Sequence, residues 1–132
     1  MFRNESELID CGDELIEKVI RASIKVHTIL GPGLLESVYE LATMVELADM
    51  QVSAKRQVDI PVIYRGQSLG VGFRADIIAS DSLLLELKSV DRITDIHLAQ
   101  TITYLKLLKF KRGLILNFNA KLMKEGIRRV SI

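Results

Sequence analysis

The tripeptide Glu86-Leu87-Lys88 sets a carboxylate and an ammonium two residues apart within an apolar run, SLLLELKSV. Side chains alternate across a strand, so Leu83, Leu85 and Leu87 share one face while Leu84, Glu86 and Lys88 share the other. In a run this apolar the second face is expected to be at least partly covered. A lone carboxylate or ammonium buried there is costly unless it is paired or bound to metal. Nine Glu and nine Lys in 132 residues supply about 0.6 E-x-K matches by chance. On its own the tripeptide is therefore equally compatible with a solvated face.

Asp76 changes that balance. It lies ten residues before Glu86 in GVGFRADIIAS, and a hairpin turning at Ser80 to Ser82 brings the two carboxylates side by side. Adjacent carboxylates repel unless a cation or a shared proton lies between them. Such a pair suits Mg²⁺ or Mn²⁺, since a small hard ion takes one or two carboxylate oxygens and leaves positions for water and a phosphate oxygen. The ion would activate that water and offset charge developing on phosphorus. Lys88 would orient or help deprotonate the water, or neutralise the transition state. A structural ion pair among the three is the competing account.

The elements needed to position these residues are legible in the spacing. From Asp13 to Leu30 the positions Ile16, Val19, Ile20, Ser23, Val26, Ile29 and Leu30 recur at helical spacing, and Gly31-Pro32 ends the helix. LLESVYELATMVELADM predicts a second helix broken near Asp49, with Leu34, Val38, Leu41, Val45 and Ala48 on one side. Val52 to Val90 reads as a three-strand meander with turns at Arg65-Gly66-Gln67 and Ser80-Asp81-Ser82. Pro61 marks the first of these strands as an edge, because proline cannot donate to an interior ladder. A helix over about Thr94 to Lys109, a buried strand RGLILNF and a short final strand GIRRVSI complete the order α-α-β-β-β-α-β-(β). The strand-helix-strand unit makes the last main strand parallel to the third. The fold class is therefore α/β, a mixed sheet flanked by helices, in one domain spanning residues 1–132.

Composition narrows the chemistry. A single cysteine, Cys11, leaves no internal disulfide and no Cys cluster for zinc or iron–sulfur chemistry. The net charge of +1, from 18 basic and 17 acidic residues, is not the basic excess of many nucleic-acid binders. A metal-dependent nuclease nevertheless gathers carboxylates at its ion and can keep basic residues on one rim. No apolar run approaches the ~20 residues of a membrane span, and MFRNESELID lacks the basic start and apolar stretch of a secretory leader. A cytoplasmic location is expected, with no membrane partner.

The flanking helices offer further candidates. Glu36 falls in the first turn of the second helix, where it could equally serve the helix dipole or a site, and Tyr39 follows one turn on. His97, Gln100, Thr101 and Tyr104 form a polar stripe on the third helix, opposite Leu98, Ala99, Ile102 and Leu105. Arg74, two residues before Asp76, is a candidate phosphate contact or an ion-pair partner of Asp76. His27, in the last turn of the first helix, reads as structural. Gly31-Pro32-Gly33 reads as a stop and restart between helices, since it lacks the P-loop lysine and the dinucleotide spacing.

The D-x9-E-x-K pattern after a meander, with helices before and after, resembles the PD-(D/E)XK superfamily and its restriction-endonuclease-like core. GPGLLESVY, through Gly33, Glu36 and Tyr39, is similar to the small GxxExxY family, and the likeness runs from VHTILGPG through VDRITDIHLAQTITYLKL to LILNFN. The resemblance implies Asp76 and Glu86 as metal ligands, Glu36 completing the metal shell directly or through water, and Lys88 at the water. Tyr39 would support Glu36 or simply pack. Gln100 and Tyr104 spell Q-x-x-x-Y, similar to the motif after the catalytic lysine in RecB-type nucleases, which implies that they reach toward the phosphate or position Lys88. The implied partner is DNA or RNA; separately, the small domain and near-neutral charge leave room for a homodimer or a partner protein to supply basic surface. A catalytically silent interaction or nucleic-acid-binding module that keeps the fold is the second reading. A two-carboxylate glycosidase fits less well, because it leaves Lys88 without a part.

Overall fold

The structure, a computed structural model, describes residues 7–132. Residues 1–6, most of the acidic stretch that argued against a secretory leader, lie outside them. The order is α1 (Asp13–Leu30), α2 (Glu36–Asp49), β1 (Ala54–Tyr64), β2 (Gln67–Ala79), β3 (Leu83–Lys88), α3 (Asp95–Leu108), β4 (Arg112–Asn117) and β5 (Ile127–Ser131). A 3-10 turn over Met123–Gly126 precedes β5. The element order expected from the sequence is present, and α1 ends where Gly31 takes a φ of 73° and donates its N–H to the His27 carbonyl at 2.8 Å.

The strands lie in the order β1-β2-β3-β4-β5. All neighbours are antiparallel except β3 and β4, which run parallel and are joined by the crossover through α3. Pro61 therefore sits on an edge strand, as its missing donor requires. The β1–β2 hairpin turns through Arg65 and Gly66, both at positive φ, the conformation that a two-residue turn between twisted strands demands.

Helices cover both faces of the sheet. Ile16, Val19 and Val26 of α1 and Tyr39 and Leu47 of α2 pack with Ile77, Leu83, Leu85, Leu87, Leu114, Leu116 and Phe118. On the opposite face Leu105 of α3 packs with Ile78, Leu84, Ile115 and Val130. β3 thus gives Leu83, Leu85 and Leu87 to one layer and Leu84 to the other, which is why a central strand reads as an unbroken apolar run. Among the described residues no helix is long and apolar enough to cross a membrane.

Two expected helix faces are different in the structure. The expected apolar stripe Leu34, Val38, Leu41, Val45 and Ala48 is exposed, Val45 at 65%, with Leu34 in the loop before α2, and the buried face of α2 carries Tyr39, Glu40, Thr43 and Leu47. Ile29 and Leu30 at the end of α1 are also exposed. Counting apolar residues misassigned the α2 face because polar groups can be buried cheaply when they find partners. The Tyr39 hydroxyl donates to the Gly31 carbonyl at 2.6 Å and accepts from the Leu34 N–H at 3.0 Å. Glu40 accepts two hydrogen bonds from Gln57.

Candidate active site

The β2–β3 ladder pairs Ala79 with Leu83, Ile78 with Leu84 and Ile77 with Leu85, and there it stops. The next pair in that register would be Asp76 with Glu86. Instead the Leu87 N–H donates to Asp76 Oδ2 at 2.8 Å, so a side chain takes the place of a backbone acceptor where the strands part. The pleat is also interrupted at this point. Ala75 packs in the α3-side cluster and Ile77 in the α1/α2-side cluster, although residues two apart on a regular strand share a face. Opposite, in the gap between the pairs Arg56–Ile77 and Val58–Ala75, Gln57 has a φ of 53°.

Glu86 stands in the middle of the sheet, paired in register with Ile115 of β4. It is 6% exposed, and its Oε1 has no hydrogen-bond partner among the described residues. Burial, then the neighbouring Asp76 carboxylate, push its pKa up to about 9, with Lys88 opposing and Glu36 adding a smaller push. Glu86 is therefore protonated at neutral pH in the metal-free protein. Lys88, half-buried at the end of β3, makes no ion pair among the described residues. The buried ion pair offered as the alternative account of these residues is thus absent among the described residues.

Asp76 and Glu86 come together as the hairpin predicts. Glu36, the first residue of α2, is close enough for its charge to act on Glu86, but it is exposed. Among the described residues no three His, Cys, Asp or Glu side chains lie near enough to hold one ion together. The donor set is thus a carboxylate pair with Glu36 at its rim. Two hard oxygen donors, one carrying an orphaned buried oxygen, fit a small divalent cation.

The supporting residues separate. Tyr39 does not hold Glu36: it is fully buried, stacks on Phe118 with ring centroids 4.5 Å apart, and spends its hydroxyl on the loop that leads into α2. It fixes Glu36 only through that loop. Tyr104 stacks on Phe73 at 3.8 Å, and its hydroxyl is pushed to higher pKa by burial and by the charges of Glu86 and Asp76, which places it beside the pair. Gln100 is exposed, and its side chain makes no hydrogen bond among the described residues. Arg74 does not pair with Asp76; its Nε donates to Asp59 Oδ1 at 2.8 Å across the hairpin. The broken pleat removes the shared strand face that would have joined Arg74 to Asp76. His27 is structural as expected, its Nε2 2.7 Å from the Ala120 carbonyl. In the polar stripe of α3, His97 is committed to a capping box with Thr94, and Thr101 is buried.

Sequence reasoning passed over Asn117. At the end of β4, in register with Lys88, it is buried. Its Nδ2 donates to the Val90 carbonyl at 3.0 Å, and its Oδ1 accepts from the N–H groups of Val90 and Asn119 at 3.1 and 3.2 Å. It ties the chain leaving Lys88 to the chain leaving β4. The available signal was an Asn closing a buried strand, a residue type that bonds to nearby backbone in turns. Gly126 fits against the same corner: a Cβ there would meet the Asn117 carbonyl oxygen at 2.1 Å.

Two clefts open beyond the carboxyl ends of β3 and β4. One, of about 550 Å³, is lined by Gly33, Leu34, Glu36, Ser89 and Asn119 among others. The second, of about 390 Å³, is lined by Arg92, Asn117, Asn119, Lys121 and Arg128, with Asp91 and Glu125. Asn119 is common to both. None of the three cations makes an ion pair among the described residues, whereas Arg56, Arg74 and Arg112 all do.

A family model described as the PD-(D/E)XK nuclease superfamily matches residues 13–130. No curated protein and no solved structure matches the chain. The three helices and mixed five-stranded sheet of the described residues agree with a restriction-endonuclease-like core.

Proposed function

Because the chain belongs to the PD-(D/E)XK nuclease superfamily, we propose that it is a metal-dependent nuclease hydrolysing phosphodiester bonds in DNA or RNA. Residues 1–132 are read as one such domain, of the GxxExxY family on the strength of Gly33, Glu36 and Tyr39. The observation that carries the reading is the buried Glu86 oxygen without a partner among the described residues, beside Asp76 where β2 and β3 part. A buried carboxyl beside a second carboxylate is expensive to maintain, and a bound cation removes the cost.

Asp76 Oδ1 and Glu86 would hold the ion, since Asp76 Oδ2 is engaged by the Leu87 N–H. Mg²⁺ or Mn²⁺ there supplies Lewis acidity to a phosphate oxygen and a more acidic water. Glu86 gives up its proton on binding. Lys88, without an ion pair among the described residues, orients the attacking water or offsets charge on the phosphate. Glu36 at the rim orients water, and Tyr104 donates toward the carboxylates or the phosphate. The strand would cross the carboxyl ends of β3 and β4 with its flanking phosphates in the cleft of Arg92, Lys121 and Arg128.

The test is incubation of single- and double-stranded DNA and RNA with Mg²⁺ or Mn²⁺, comparing wild type with Glu86→Ala and Lys88→Ala. Wild-type cleavage should fall by about 10²- to 10⁴-fold in Lys88→Ala and below detection in Glu86→Ala. Cleavage that survives both substitutions removes the assignment. Binding of nucleic acid without any cleavage supports the silent-module reading.

A further inference from the structure

We infer that Glu40 is a positioning residue for Asp76, acting by holding Gln57 in a left-handed backbone conformation; the importance of Asp76 rests on the nuclease reading above. Glu40 is a second buried carboxylate, 5% exposed, on the face of α2 turned toward β1. Both of its oxygens accept from Gln57 Nε2, each at 2.9 Å, and its Oε1 also lies 3.2 Å from Arg56 Nε. A glutamate buried this deeply is costly, and its partners are drawn from two consecutive residues of one strand.

Those two residues flank the irregularity at the site. Arg56 still pairs in register with Ile77 and Val58 with Ala75, which leaves Gln57 opposite Asp76. Its φ of 53° is disfavoured for a residue with a Cβ, so something must hold it. The paired hydrogen bonds to Glu40 do so. The left-handed residue reverses the pleat of β1 at this point, and β2, laddered to it on both sides, reverses with it: Ala75 and Ile77 fall in opposite layers. That reversal lets the Asp76 carboxylate enter the gap between β2 and β3 and take the Leu87 N–H. Without the hold, Gln57 relaxes toward the extended region, regular alternation returns, and Asp76 is carried out of the gap.

The experiment uses the full chain with two readouts: exchange of the Leu87 amide in metal-free protein by NMR, and Mn²⁺ affinity by calorimetry. Glu40→Ala should speed Leu87 exchange and weaken Mn²⁺ binding by about 10- to 100-fold, the usual loss when a residue behind a metal ligand is removed. Glu40→Gln keeps an oxygen acceptor for Gln57 and should stay within about threefold of wild type. Adding Gln57→Gly to Glu40→Ala should restore both readouts, because glycine takes positive φ unaided. If Glu40→Ala does not fold, Gln57→Ala removes the same hydrogen bonds from an exposed position and should give the same loss. Wild-type Leu87 exchange in folded Glu40→Ala, or in folded Gln57→Ala, overturns the inference, as does a double variant no better than Glu40→Ala. Should the wild type bind no Mn²⁺, the metal reading fails, while Leu87 exchange still decides whether Glu40 positions Asp76.

Discussion

Asp76 Oδ2 accepts the Leu87 N–H at 2.8 Å, so the side chain that ends the β2–β3 ladder is the same one that stands beside Glu86. Opening the sheet and building the carboxylate pair are one structural event. A regular antiparallel ladder would satisfy Leu87 with backbone and leave no gap in which the Glu86 carboxyl could meet an ion.

The buried Glu86 carboxyl makes the metal-free protein pH-sensitive in a defined direction. Its folded pKa, about 9, lies above its ordinary value of 4.5, so the folded state holds the proton more tightly than the unfolded state. The associated stability is complete below about 4.5 and is lost as pH rises toward about 9. Glu86→Gln, always neutral, should be the more stable protein in EDTA at pH 7 to 8, by about 1 to 3 kcal/mol, with the gap closing by pH 5. Thermal unfolding at pH 5, 7 and 8 measures this; parallel profiles for the two proteins would refute the assignment of a buried, protonated Glu86.

Asn117 joins the ends of β3 and β4 through two hydrogen bonds to Val90, and accepts a third from Asn119. Asn117→Ala leaves the Val90 amide and carbonyl without that partner and should cost about 1 to 3 kcal/mol in urea unfolding. Cleavage should fall as well, because the chain immediately after Lys88 loses its tether. Asn117→Ala with wild-type stability would mean that water or backbone replaces the side chain at no cost.

Arg92, Lys121 and Arg128 line one cleft and make no ion pair among the described residues. Substituting any one with Ala should leave stability within about 0.5 kcal/mol. It should lower the magnitude of the slope of log affinity for an oligonucleotide against log salt concentration by about 0.7 to 0.9, the contribution of one phosphate contact. Fluorescence anisotropy across a salt series, in a Glu86→Gln background that prevents cleavage, gives the slope. An unchanged slope in all three variants places the nucleic acid elsewhere.

Much of this was legible in the chain. The bounds of α1, the meander, the edge position forced by Pro61 and the parallel β3–β4 pair follow from local spacing, proline chemistry and crossover geometry, and all are present. The juxtaposition of the Asp76 and Glu86 carboxylates followed from counting residues around a hairpin, and a three-residue turn brings them together although the ladder stops one pair short. The buried face of α2 was not legible: Tyr39 and Glu40 are buried because Gly31, Leu34, Arg56 and Gln57 come to meet them, two from the loop before the helix and two from a strand. The ion pair of Arg74 with Asp76, one of its two expected roles, is not formed for a related reason, since its partner Asp59 is fifteen residues away across a hairpin and the alternation linking it to Asp76 is broken.

The sequence by itself determined which groups are available, Glu36, Asp76, Glu86 and Lys88, and the strand and hairpin that bring two of them side by side. Those properties depend on periodicity and turn chemistry, which are local. Only the tertiary structure decided that, among the described residues, Glu86 is buried with an unpartnered oxygen and Lys88 makes no ion pair, and that Asp76 sits in the gap between strands. Burial and the loss of strand alternation are set by what packs against a residue from distant parts of the chain: α3 over one face, α2 over the other, and Gln57 from the neighbouring strand.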